Sequence, residues 1–168
     1  MEESLASIIT AYERDFAKHP NISEYPQISM IFRSIASQLS RENKKFLYKV
    51  VKKGARAREY EDALQWLVDA GIVHKIYRST APSLPLIAYD DISAFKIYLA
   101  DVGLLRKLCQ LSPRAFGEKN RLFTEFKGAL TENFVLQSLI CQSDLTPRYW
   151  SQNNPSYEVD FLVQKEND

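Results

Sequence analysis

The sequence predicts an α+β chain, and three observations lead to that reading. Apolar residues recur at helical spacing in the segments before Gly71. A run dense in β-branched and aromatic residues begins at Ile72. A long helical pattern beyond residue 121 then gives way to two short strand-like runs. The 168 residues suffice for one ordinary domain or two small ones. With 45% hydrophobic, 26% charged and 12% aromatic residues, the chain has the composition of a globular protein that builds its core without disulfides or metal.

Leu5, Ile8, Ile9, Tyr12 and Phe16 make one stripe on a first helix, which Pro20 and Asn21 end. Ser23 is placed to cap a second helix, with Pro26 in its first turn and Ile28, Ile31, Phe32, Ile35 and Leu39 on its buried face. After a polar connector at 40–43, residues 46–51 have a mixed period that fits strand or helix. A third helix is expected over 55–70, with Gly71 as its C′ residue. Tyr60, Ala63, Leu64, Leu67 and Val68 give it an apolar face, and Trp66 lies toward the side. Residues 72–77 read as a strand, 79–85 as a loop, and 86–89 and 95–99 as two further strands. A helix, a loose element, a helix and a hairpin of strands follow one another in the order of a winged helix.

Beyond Asp101 the sequence predicts a short helix over 102–111 and a long one over 122–142 that contains Gly128. Strands follow at 148–151 and 157–163, around a turn at 153–155. A composition shift near 112–121 places a domain boundary, so residues 1–110 are expected to form a helical lead-in and winged-helix-like module, and residues 111–168 a second unit.

Several function classes recede on composition. Net charge is +1, so any nucleic-acid signal must lie in how charge is distributed. Cys109 and Cys141 lie in apolar stretches, without a Cys-x-x-Cys or a histidine at ligand spacing. They are expected to be buried, reduced thiols, and no zinc site is assigned. The acidic start Met1-Glu2-Glu3-Ser4 is unlike a signal peptide, and no apolar run is long enough to span a bilayer. A cytoplasmic location without a membrane partner is expected.

Three blocks carry a family resemblance. The first joins Lys44-Lys45-Phe46 to Gly54-Ala55-Arg56-Ala57-Arg58-Glu59-Tyr60 and Leu64-Gln65-Trp66-Leu67-Val68-Asp69-Ala70-Gly71. The second is Phe95-Lys96-Ile97-Tyr98-Leu99-Ala100-Asp101-Val102-Gly103-Leu104-Leu105. The third joins Gly128-Ala129-Leu130-Thr131-Glu132-Asn133-Phe134-Val135 to Tyr149-Trp150 and Glu158-Val159-Asp160-Phe161. In order and spacing, along nearly the whole chain, they resemble the C-terminal region of predicted ATPases of the AAA superfamily, a region of unknown function.

That resemblance implies an upstream P-loop ATPase domain, a winged-helix-like module and then a restriction-endonuclease-like α/β module, of which residues 111–168 would be the first half. It also implies a divalent-metal site built from an acid on a helix, an aspartate on a strand and a later Glu-x-Lys; Glu132 and Asp160 match the first two. The chain departs from the pattern at both ends. It has no Gly-x-x-x-x-Gly-Lys-[Ser/Thr], so ATP is expected only on the upstream domain. No Glu-x-Lys follows Asp160, so the metal site is incomplete, Mg²⁺ is not an expected cofactor, and no residue is assigned as catalytic. The sequence reads as a piece of a longer protein or as the product of a shortened gene.

The strongest local chemistry is basic. Arg41, Lys44, Lys45, Lys49, Lys52, Lys53, Arg56 and Arg58 stand against the single acid Glu42. Clustered cations at the start of a third helix suit the phosphates of duplex DNA, and Lys44, Lys45, Lys49, Lys52, Lys53, Arg56 and Arg58 are the candidate contacts. A solvated charged face, or a surface docked on the P-loop domain, gives the same pattern. The expected function is therefore that of a non-catalytic accessory region of an AAA-type ATPase that binds DNA. The alternatives are a metal-dependent nuclease-like module using Glu132 and Asp160, and a protein-interaction module presenting Tyr25, Trp66 and Trp150. An unpaired sheet edge is also compatible with a homodimer.

Overall fold

The computed structural model describes residues 2–18, 25–41, 44–112, 121–142, 145–152 and 157–165. Helices α1 (Glu2–Phe16), α2 (Tyr25–Leu39), α3 (Tyr48–Val51), α4 (Ala57–Asp69), α5 (Val102–Leu108) and α6 (Arg121–Gln142) join strands β1 (Val73–Ser79), β2 (Asp90–Leu99), β3 (Arg148–Ser151) and β4 (Glu158–Leu162) in an α+β fold.

The first three long helical patterns converge because each has a single apolar face. Ile28, Ile31, Phe32, Ile35 and Leu39 of α2 are buried, as are Phe16 of α1 and Tyr60, Ala63, Leu64 and Leu67 of α4. Burial of each such large side chain contributes about 1.5–3 kcal/mol. The Phe16 ring meets Phe32 at 5.3 Å and Trp66 at 5.6 Å, both edge-on, which is why Trp66 sits at the side of the core rather than in its centre.

The ambiguous run 46–51 has two conformations, and each accounts for part of its mixed period. Phe46 lies outside any helix or strand, and Leu47 is extended. The Phe46 N–H donates to the Phe95 carbonyl at 2.7 Å, and the buried Gln38 amide brackets Leu47 with bonds of 2.9 and 3.1 Å. One turn of helix, α3, follows. Helix α4 closes as a Schellman motif, with Gly71 N–H on the Val68 carbonyl and Ile72 N–H on the Leu67 carbonyl. Gly71 adopts φ +68, a conformation that suits glycine, and delivers the chain straight into β1.

The sheet order is β2-β1-β3-β4. β1 pairs antiparallel with β2 from Val73↔Leu99 to Tyr77↔Phe95, then the register shifts to Arg78↔Asp91. β1 pairs in parallel with β3, and β3 antiparallel with β4. Residues on either side of the boundary expected at 110–111 thus share one sheet and one apolar core.

The expected strand at 86–89 is a 3₁₀ helix, Leu86–Tyr89, closed by Ala88 N–H on the Pro85 carbonyl. Only Leu86 of that run is buried while Ile87 is 68% exposed, so no alternation holds it in a sheet. β2 instead begins at Asp90. Its two leading carboxylates are accepted there because Arg148 pairs with Asp90 at 2.8 Å and Arg78 with Asp91 at 2.6 Å.

Helix α6 runs unbroken through Gly128, where an added Cβ would meet nothing within 4 Å, so neither close packing nor a break requires this glycine. Both cysteines are free, but the expectation of burial is corrected for Cys141, which is exposed on α6; Cys109 is half-buried. Among the described residues no helix is long and apolar enough to cross a membrane. The expected Ser23 cap, the stop at Pro20 and Asn21, and the turn at 153–155 lie outside the described residues.

Candidate nucleic-acid interface and the neighbouring acids

The expected basic set divides in two. Lys49, Lys52, Lys53, Arg56 and Arg58 are exposed, on α3, on the turn that follows it and at the start of α4. That turn forms because Ala55 N–H returns to the Lys52 carbonyl across Gly54, which has φ +82. None of the five makes an ion pair with a described residue. Arg56, the N-cap of α4, and Arg58 stand at the positive end of the helix dipole, which disfavours cations by about 0.3–1 kcal/mol until an anion approaches.

Lys44 and Lys45 belong elsewhere. The Lys44 side chain is only 16% exposed and ion-pairs with Glu132 of α6, itself 13% exposed. Lys45 is half-buried and already partnered.

Glu132 accepts from Lys44 on one carboxylate oxygen and from the Tyr98 hydroxyl on the other, the latter at 3.0 Å. On β4, Glu158 and Asp160 are two residues apart and so point to the same side of the strand. Lys96 of β2, 1% exposed, passes over the Tyr149 ring at 4.8 Å to pair with Glu158 and, at 3.6 Å, with Asp160. Tyr98 hydrogen-bonds the first ion pair and feels the charge of the second. Burial, then Glu132, and then Asp160 and Glu158 push its phenol far above the usual range. The structure therefore places Glu132 on the Tyr98 hydroxyl and pairs Glu132 with Lys44 and the β4 acids with Lys96.

A divalent ion on Glu132 and Asp160 does not fit these residues as arranged. Each carboxylate already faces an ammonium, and among the described residues no three of His, Cys, Asp and Glu gather in a metal-binding group.

Sequence reasoning missed Lys96, Tyr98, Asn133 and Gln137. A signal for Lys96 existed: it is the one charge within residues 94–99, every one of which is buried, and an isolated charge inside a buried strand needs a partner. Asn133 and Gln137 follow Glu132 on α6 and bond the chain at Leu99, Asp101 and Val102. Asp101 also caps α5 by accepting from Leu104 N–H at 2.8 Å. The second and third sequence blocks are thus tied together by hydrogen bonds. The candidate surface aromatics Tyr25, Trp66 and Trp150 are all half-buried, and exposed apolar side chains include Leu84, Ile87 and Ile92 near the β1–β2 connection, Phe134 on α6 and Tyr157 before β4.

A family model described as Domain of unknown function (DUF8612) matches residues 4–115. A second, described as Domain of unknown function (DUF4143), matches residues 127–168. No curated protein and no solved structure matches the chain.

Proposed function

This chain belongs to the DUF8612 family, and we propose that it acts as a non-catalytic accessory region of an AAA-type ATPase, contacting duplex DNA through Lys49, Lys52, Lys53, Arg56 and Arg58. The observation that carries the reading is the division of the basic set: these five cations are exposed and free of ion pairs with described residues, two of them against a helix dipole. Support for the ATPase context comes from the match over 127–168, to a domain commonly found in the C-terminal regions of AAA-type ATPases, and from the sequence blocks that resemble such regions.

The test is fluorescence anisotropy of labelled duplex DNA at several salt concentrations. Five neutralised phosphates give a slope of about −4.5 in log K against log salt. Replacing Lys52, Lys53, Arg56 and Arg58 by glutamine should bring the slope to about −0.9 while the protein stays folded. Affinity unchanged by the four replacements would remove this cluster from the reading, and no binding even at low salt would remove DNA and give this face to docking on the P-loop domain.

A further inference from the structure

The exposed cations do not hold their own position. Helix α3 is a single turn of four residues with none buried, too short to be stable alone. Its geometry is inherited from the strip 44–47, which is fastened to three elements. Lys44 is ion-paired with Glu132 on α6. Phe46 is hydrogen-bonded to Phe95 on β2 and stacked on its ring at 5.3 Å. Leu47 is bracketed by Gln38 of α2. Of these fastenings only the first is ionic, and Glu132 is itself held, because Tyr98 engages its other oxygen.

We infer that Lys44 is a positioning residue: through Glu132 and Tyr98 it fixes the strip that presents Lys49, Lys52 and Lys53, and it touches no phosphate itself. This deepens the DNA-binding reading and rests on it. It also assigns Glu132, which the sequence offers as a metal ligand, to holding the basic face.

A phosphate contact and a positioning residue leave different signatures. Losing a contact lowers the salt slope by about 0.9, as Lys52→Gln should. Losing the anchor weakens binding at an unchanged slope, because the number of neutralised phosphates stays the same. Lys44→Gln is therefore expected to weaken duplex binding about three- to tenfold without flattening the slope. It should also speed amide hydrogen exchange across 45–53, and Lys44→Arg should restore both. Tyr98→Phe, which keeps the ring and frees one Glu132 oxygen, should give a smaller change of the same kind, and it serves as the test if Lys44→Gln does not fold.

A slope lowered by about 0.9 in Lys44→Gln with exchange unchanged would make Lys44 a phosphate contact and overturn the inference. Unaltered affinity and exchange would overturn it too. Should the native chain fail to bind DNA at low salt, the DNA reading falls by itself. Amide exchange then decides the anchor separately: faster exchange across 45–53 in Lys44→Gln upholds it, and no change ends it.

Discussion

The side-chain amide of Asn133 hydrogen-bonds both backbone groups of Leu99, accepting from its N–H and donating to its carbonyl, each at 2.9 Å. Leu99 is the last residue of β2, which lies at one edge of the sheet, so a helix side chain here takes the place of a neighbouring strand. Asn133 is fully buried and no water can replace it. Asn133→Leu would strand a buried donor and a buried acceptor, at about 1–3 kcal/mol each. Urea denaturation should show a lower midpoint at an unchanged m-value, with a total loss of about 2–6 kcal/mol. A loss below about 1 kcal/mol would mean that Leu99 finds other partners.

Lys96 predicts an asymmetry. Its ammonium is 1% exposed, whereas Glu158 and Asp160 are 30% and 52% exposed. Removing the lysine leaves two carboxylates that water can reach. Removing both acids leaves a buried cation without a counter-ion, a change that costs about 3–5 kcal/mol when a buried pair is broken. The double variant Glu158→Gln/Asp160→Asn should therefore be less stable than Lys96→Met. If Lys96→Met proves the worse by denaturant midpoint, the pair is held together by something other than burial of the cation.

Much of this framework was legible in the sequence, and what was not has a physical cause. The α2 and α4 faces follow from apolar spacing, and Gly71 marks its turn because a Schellman closure needs φ > 0. Residues 86–89 misled because a four-residue apolar run has no period that separates a strand from a 3₁₀ turn. The basic run was visible as a run, but spacing cannot show that Lys44 turns inward, since its partner Glu132 is 88 residues away. The same distance in sequence hides the role of Glu132. By resemblance Glu132 matches a metal ligand, until Tyr98 and Lys44 are seen to occupy it.

The two cysteines should react at very different rates. Burial pushes the Cys109 thiol up to about 11, so at pH 8 only about one molecule in a thousand carries the reactive thiolate. Cys141 is exposed on α6. Brief alkylation of the native chain at pH 8, read by peptide mass spectrometry, should label Cys141 alone, with Cys109 labelled only after unfolding. Equal labelling of both in the native state would show that the end of α5 opens readily.

Buried phenols should govern the alkaline limit of stability. Tyr48 is pushed up to about 12, first by burial and then by Glu61. Tyr149 reaches about 12, again mainly through burial, and Tyr98 lies higher still. The sign follows from where each state gives up its proton. Below pH 10 the phenols are protonated in both states, and their contribution to stability is constant. Between pH 10 and 12 the unfolded chain ionises while the fold keeps its phenols neutral, so the unfolded state gains and stability falls as pH rises. In a spectrophotometric titration Tyr48, Tyr98 and Tyr149 should ionise in a late step, above pH 10, that coincides with loss of helical circular dichroism. A Tyr98→Phe variant should remove part of that late step. Ionisation of all three near pH 10, with the fold intact, would contradict the burial of Tyr98 beside Glu132.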